Sequence, residues 1–308
     1  MELVNAIGPR IAVIGEGMLE LTLQDGAWRV ATAGDALNVA THLARFGRDV
    51  DFITALGADP ISAHLRQAWA AEGVGVGHVL TDASRAPGLY AVSLDAAGER
   101  SFTYWRADSA ARALFSLPGV EAALAAAQSA PLLYFSLITL AVTPPQGRER
   151  LLQLCADVRA AGGRVAFDTN YRPSLWNDAG AARKAAARFI AVADIGLPTF
   201  DDEALLFGDE DPEQTAARWR GAGVAEVAVK LGRDGCLLSG AEAQEIVAPP
   251  TPIDPIDTSG AGDAFNAGYL DARLTDQPAR LSALAGHRLA GWLVRRAGAL
   301  PPREAGIY

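Results

Sequence analysis

The chain has 308 residues, of which 50% are hydrophobic and 20% charged, enough for one large α/β domain with a small addition. A net charge of −9 and a pI near 5.0 argue against a nucleic-acid surface, which needs clustered Lys and Arg, so any anion must be met locally. Cys155 and Cys236 stand far apart without metal-ligand spacing and read as buried free thiols, while the Met1 to Asn5 start lacks a signal peptide's basic and apolar regions and no stretch reaches ~18 apolar residues, so a cytoplasmic location without a membrane partner is expected.

Along the chain, Ile11 to Ile14 is a short apolar run ending at Gly15, and similar runs recur at Val50 to Thr54, Leu132 to Phe135, Arg164 to Asp168, Ile195 to Leu197 and Val227 to Lys230. These predict buried parallel strands. Alanine-rich stretches between them predict helices: Ala36 to Phe46 stopped by Gly47, Ile61 to Glu72 stopped by Gly73, Gly147 to Ala161, Ala179 to Val192 and Pro212 to Arg220. Such alternation implies a doubly wound, mostly parallel sheet flanked by helices, within one domain spanning residues 1–308. Leu19 to Gln24, Leu89 to Leu94 and Ser101 to Arg106 break the rhythm with period-two alternation, Asp95 to Glu99 forming a turn. They suggest a small β-sheet lid at roughly residues 17–33 and 88–106.

The run Asp257-Thr258-Ser259-Gly260-Ala261-Gly262-Asp263 leads into a helical stretch through Leu270. Two glycines in a first helical turn each cost roughly 1 kcal/mol relative to alanine, so something must need bare backbone there. Gly260 and Gly262 let main-chain amides approach a ligand, and the helix N-terminus favours an anion; phosphate is the natural guest. Asp263 then stands where a carboxylate could reach a neighbouring hydroxyl, the geometry of phosphoryl transfer to an alcohol. The alternative is a capping box, with Gly260 as N-cap and Asp263 as its acidic partner.

This run resembles the DTxGAGD signature of the ribokinase-like (PfkB-type) sugar kinases, with Ser259 at the variable position. The resemblance implies a ribokinase-like fold, Gly260, Ala261 and Gly262 as the anion hole for the transferring phosphate of ATP, and Asp263 as the base. The helix dipole is expected to keep Asp263 ionised. Gly34, Asp35 and Asn38 match the outline of the family's N-terminal signature, Ala33 replacing its first glycine, and are implied sugar contacts; otherwise Asp35 caps a helix and Asn38 is solvated. Lys230, Gly232 and Gly235 resemble the segment lying along ATP, with both glycines exposing backbone. Thr199 and Asp202 fall on the two positions of an N-x-x-E motif associated with magnesium and phosphate, so Asp202 is the candidate for Mg2+, although Asp201, Asp202 and Glu203 also suit a helix N-terminal acid cluster. His287 lies near the expected adenine pocket, where a structural role is the other possibility. In the family a β-sheet lid covers the sugar and often mediates dimerisation, so the resemblance also implies a lid of this kind and a homo-oligomer through it.

Within the family, Tyr104-Trp105-Arg106 and the Asp168 to Trp176 segment, with Asn170 and Arg172, resemble motifs of 2-keto-3-deoxygluconate kinases. Two arginines suit a sugar acid, since a guanidinium binds a carboxylate bidentately and a neutral sugar gives it nothing to neutralise. Each could instead form a surface ion pair or a cation–π contact. Tyr90 on the lid is a further candidate contact, or a core tyrosine. The alternatives are a fructokinase or ribokinase, and, from another class, a non-catalytic sugar-binding regulator. A dinucleotide site after Gly15-Glu16-Gly17 would need glycine at position 20, where Glu20 stands.

Overall fold

The structure, a computed structural model, describes residues 10–24, 26–94, 100–240 and 244–308. The Met1 to Asn5 start and the Asp95 to Glu99 turn lie outside them. In chain order the first half comprises β1 (Ile11–Ile14), β2 (Met18–Gln24), β3 (Ala27–Ala33), α1 (Asp35–Arg45), β4 (Val50–Leu56), α2 (Pro60–Ala71), β5 (Val79–Thr81), β6 (Gly88–Leu94), β7 (Arg100–Trp105) and α3 (Val120–Gln128). There follow β8 (Leu132–Ser136), α4 (Leu137–Val142), α5 (Pro145–Ala160), β9 (Arg164–Asp168), α6 (Ala179–Ile190), β10 (Ile195–Gly196), α7 (Phe200–Phe207) and α8 (Pro212–Gly221). The chain closes with β11 (Glu226–Lys230), β12 (Cys236–Ser239), β13 (Gln244–Val247), α9 (Ala261–Arg273) and α10 (Ala279–Leu293).

The apolar runs form one sheet in the order β13-β12-β11-β10-β9-β8-β1-β4-β5, parallel from β11 to β5 and antiparallel at β12 and β13. Its strands carry apolar side chains on both faces because helices cover both. Ala12 and Ile14 of β1 join Phe135, Phe167, Phe189 and Trp219 on one side, while Ile11 and Val13 join Phe52, Trp69, Tyr134 and Tyr269 on the other. Both cysteines are buried and free, as expected. Among the described residues no single helix is long and apolar enough to cross a membrane.

The direction of winding reverses between β1 and β8. From β1 the chain moves outward to β4 and β5, then returns to place β8 on the other side of β1 and continues through β9, β10 and β11. The C-terminal ends of β1 and β8 therefore open a crevice, the usual ligand position in such sheets.

The segments with period-two alternation pair as a separate four-stranded sheet, β3-β2-β6-β7, rooted beside that crevice. Register puts Glu20, Tyr90 and Tyr104 on one face and Leu21, Val30 and Ala91 on the other. β3 belongs to it although its alternation is weak, because its outer residues from Ala27 to Ala31 are all exposed.

Candidate active site

Each strand from β11 to β1 delivers a polar residue to the crevice. Glu16 follows β1, Ser136 ends β8, Asp168 ends β9, Thr199 follows β10 and Lys230 ends β11. Helices α1 and α9 close the site from above. Their caps differ from those of α2, α6 and α8, where Asp59, Asp178 and Asp211 accept from backbone amides. Gly34 and Gly260 occupy the cap positions of α1 and α9, where neither brings a side chain to cap the helix.

The glycines of the α9 turn have different reasons to be there. Gly260 has φ +72°, and a Cβ would lie 2.9 Å from Ala299 Cβ, so turn and packing both demand it. Gly262 meets neither demand: a Cβ would find only Lys230 Nζ within 4 Å, at 3.8 Å. The space beside its Cα is open at the start of α9. The Ala261 amide is bonded to the Thr258 carbonyl at 3.1 Å, within the turn that precedes α9.

Asp263 is buried beneath this turn, and Asn38 Nδ2 donates to its Oδ2 at 2.8 Å. This contact joins α1 to α9 and settles two alternatives. Asn38 is buried rather than solvated, and the Asp263 carboxylate turns to Asn38 instead of completing a capping box. Asp35, in the first turn of α1, accepts from Ser136 Oγ and, at 3.4 Å, from Asn170 Nδ2. Burial pushes the Asp263 carboxyl up to about 7, with the Asp35 and Asp168 charges adding and the Asn38 bond and Lys230 opposing. The helix dipole, worth roughly 0.3–1 kcal/mol against about 1.4 kcal/mol for each unit of pKa shift, does not offset that burial. Asp35 is raised too, chiefly by burial.

Lys230 does not extend along a nucleotide channel. Its Nζ is buried and donates to Asp168 Oδ2 at 2.8 Å and to Asn266 Oδ1 at 3.0 Å, while Asn266 Nδ2 donates to Asp168 Oδ2 at 2.7 Å and to the Tyr134 hydroxyl at 3.2 Å. The lysine is thus a cation under the floor of the site. Gly232 is exposed with φ +58° and open space around its Cα, so it can admit a ligand to the backbone. Gly235 cannot: a Cβ there would meet Val247 O at 2.3 Å, so the close approach of the backbone near β13 explains it without a nucleotide. His287 is also held internally, Nε2 lying 2.8 Å from Val247 O and its ring 5.1 Å from Phe265, with burial lowering its pKa. It nevertheless borders a cleft of about 900 Å³ between Pro249, Thr251 and Ile253 on one side and Leu284, Gly291 and Trp292 of α10 on the other.

On the sugar side, Tyr90 is buried and donates to Glu20, and its ring lies 5.6 Å from that of Tyr104, which is exposed. Burial, then the charge of Glu20, pushes the Tyr90 hydroxyl far up. The two arginines part company. Arg106 is buried, with its Nη2 donating to Glu16 and its guanidinium 5.9 Å from the Tyr104 ring centroid, so its ion pair is internal rather than on the surface. Arg172 is half exposed, bonded to the Tyr171 carbonyl at 2.8 Å and only loosely to Asp202 at 3.4 Å, which leaves an edge of its fork open.

Thr199 bridges β-fashion to Lys230 and heads α7. Asp202 in the first turn of α7 accepts from the Tyr171 amide at 3.2 Å, and its pKa is raised by burial, with Arg172 opposing. Its neighbour Glu203 is no solvated acid; it is fully buried, accepting from Thr169 and Arg218. Among the described residues no group of three His, Cys, Asp or Glu could hold a metal ion.

The sequence reading missed Glu16, Glu20, Tyr134, Ser136, Asp168 and Asn266. Two signals were available. Ser136 and Asp168 are polar ends of apolar strands, and Asn266 lies three residues after Asp263, on the same helical face.

A bare, dipole-bearing helix start over a buried carboxylate, with polyol-sized polar groups around it, defines a phosphotransferase acting on a hydroxylated acceptor. A family-wide sequence model described as pfkB family carbohydrate kinase matches residues 10–305, and the chain belongs to that family. It is 38% identical over 302 residues to the 2-dehydro-3-deoxygluconokinase of Dickeya dadantii, covering 96% of this chain and 97% of that protein. It is 40% identical over 305 residues to the Escherichia coli K12 protein of the same name, covering 96% and 98%. The crystal structure of aminoimidazole riboside kinase from Salmonella enterica, complexed with aminoimidazole riboside and an ATP analog, matches with a TM-score of 0.80 at 27% identity over 94% of each chain.

Proposed function

We propose that the protein transfers the terminal phosphate of ATP to a hydroxyl of 2-keto-3-deoxygluconate (2-dehydro-3-deoxy-D-gluconate), giving its 6-phosphate, within one kinase domain that includes the lid. The observation that carries this is Asp263: one buried carboxylate, oriented by Asn38, directly under the uncapped turn of α9 in a chain nearly 40% identical end to end to kinases of that sugar acid. The acceptor oxygen attacks the γ-phosphorus, the bond from that phosphorus to the β–γ bridging oxygen breaks, ADP leaves, and the hydroxyl proton passes to Asp263. The Gly262 turn and the α9 dipole meet the charge on the transferring group. Asp35, Asn38, Tyr90, Tyr104 and Asn170 orient the sugar, and the cleft bordered by His287 suits the adenine, with the exposed Gly232 turn along the phosphates.

The donors present fit magnesium. Asp202 offers a carboxylate held, among the described residues, only by the Tyr171 amide at 3.2 Å and by Arg172 at 3.4 Å, and magnesium is commonly held by one or two carboxylates together with substrate phosphates. Bound there with ATP, the ion would neutralise phosphate charge; Asp202, with Thr199 beside it, would hold it.

The sugar's carboxylate is assigned chiefly to Arg172, whose fork is open, with Arg106 behind it. Arg172→Ala is expected to raise KM for the sugar acid about tenfold or more while leaving a poor neutral substrate such as fructose within about twofold. A coupled assay over acidic and neutral sugars checks this; equal losses on both would favour a fructokinase or ribokinase.

The lid face carrying Leu23, Trp28, Val30 and Trp105, each 44–58% exposed, suits a second copy of the chain. Light scattering is expected to give a dimer for the native protein and a monomer for Trp28→Glu combined with Val30→Glu; a native monomer overturns the assignment.

A further inference from the structure

Glu16 is an enclosed charge at the root of the lid. Its side chain is 0% exposed, that of its partner Arg106 9%, and neither Glu16 Oε1 nor Arg106 Nε has another hydrogen-bond partner among the described residues. Each charge therefore depends on the other and on whatever enters the crevice. Three segments close around this one residue. A Cβ at Gly34 would lie 2.2 Å from the Glu16 carbonyl oxygen, and a Cβ at Gly88 2.7 Å from Oε1, so both positions are bare because Glu16 fills the space. Gly34 heads the helix bearing Asp35 and Asn38; Gly88 opens the lid strand bearing Tyr90; Arg106 follows the lid strand bearing Tyr104.

A buried ion pair adds little net stability, since desolvation offsets most of the attraction, whereas loss of one partner strands a charge. What such a pair fixes is geometry. We propose that Glu16 is a positioning residue for the sugar acid: from behind the lid root it holds the Arg106 guanidinium at the angle that leaves its free edge beside Asp35, facing the acceptor. This deepens the sugar-acid assignment and rests on it. It also revises how selectivity arises, because Glu16 already balances the charge of Arg106. Arg106 then contributes directed donors rather than an unopposed positive field, and Arg172 supplies the exposed charge.

Kinetics in two backgrounds test this. Glu16→Gln is expected to raise KM for 2-keto-3-deoxygluconate about tenfold, with kcat and KM for ATP within about twofold, and Glu16→Asp to recover part of the loss. In an Arg106→Ala background, where no cation remains for Glu16 to hold, Glu16→Gln is expected to change the sugar KM less than about twofold. Thermal melts accompany each variant; if the single Gln variant fails to fold, the double variant, which buries neither charge, is compared with Arg106→Ala, and a further rise in sugar KM beyond about twofold means that Glu16 acts without Arg106 and overturns the proposal. The same fold-loss in both backgrounds, or a uniform loss in kcat and both KM values, would mean that Glu16 merely supports the fold. If Arg106→Ala alone leaves the sugar-acid KM unchanged, Arg106 is no acceptor contact and both assignments of that arginine fall together.

Discussion

Asp263→Asn is expected to lower kcat by about 10³-fold or more while the sugar acid still binds within a few-fold of the native affinity. Asparagine keeps the shape and the bond to Asn38 but cannot take a proton from the acceptor hydroxyl. A coupled kinase assay beside calorimetric titration of the sugar acid separates the two effects, and near-native turnover would remove Asp263 from the chemistry. The same residue sets a pH dependence. A base acts when deprotonated, and burial together with Asp35 and Asp168 pushes this carboxyl up to about 7, so kcat/KM should climb as pH passes through about 7 and level off above it. In the Asp263→Asn enzyme that inflection should vanish with the activity.

Stability should move the other way. Because the folded-state pKa of Asp263 lies above its unfolded value of 3.8, the folded protein binds the extra proton between those values, and stability falls as pH rises through that window. Above pH 7 the ionised carboxylate costs on the order of 4 kcal/mol. Asp263→Asn is therefore expected to melt higher than the native enzyme at pH 8 and about equally at pH 4.

Most of the main sheet was legible because a strand buried on both faces must be apolar throughout, and the β9 run from Arg164 to Asp168 matches residue for residue. β12 and β13 escaped because β13 sits at the sheet edge with exposed Gln244 and Ile246, which blurs its pattern. In the site, local motifs pointed to Gly34, Asp35, Asn38 and Asp263, which the fold gathers around one crevice. Sequence spacing carries no information about partners, however. That Lys230 turns inward to Asp168, that Arg106 is matched by Glu16 across ninety residues, and that Gly235 answers to Val247 O are consequences of tertiary packing. The same blindness hid the upward push on the Asp263 carboxyl: the dipole is local and visible, whereas burial and the charges of Asp35 and Asp168 arrive from other elements.

Gly262→Ala should separate folding from catalysis most cleanly. Alanine is favoured over glycine inside a helix by about 1 kcal/mol, and at this position the added methyl finds only Lys230 Nζ, at 3.8 Å, so the fold accommodates it. The melting temperature is therefore expected to hold or rise by a few degrees. The methyl, however, projects into the mouth of the α9 turn, where the transferring phosphate must come within hydrogen-bond distance of the amides, and loss of one such donor typically costs about 10²–10³ in kcat. Gly260→Ala makes the contrast: φ +72° and the 2.9 Å approach to Ala299 Cβ strain the fold itself, so stability and activity should fall together. Melting curves and kcat measured on both variants test the pair. If Gly262→Ala turns over at the native rate, the α9 amides do not bind the transferring group, and the bare backbone at residue 262 would need another cause.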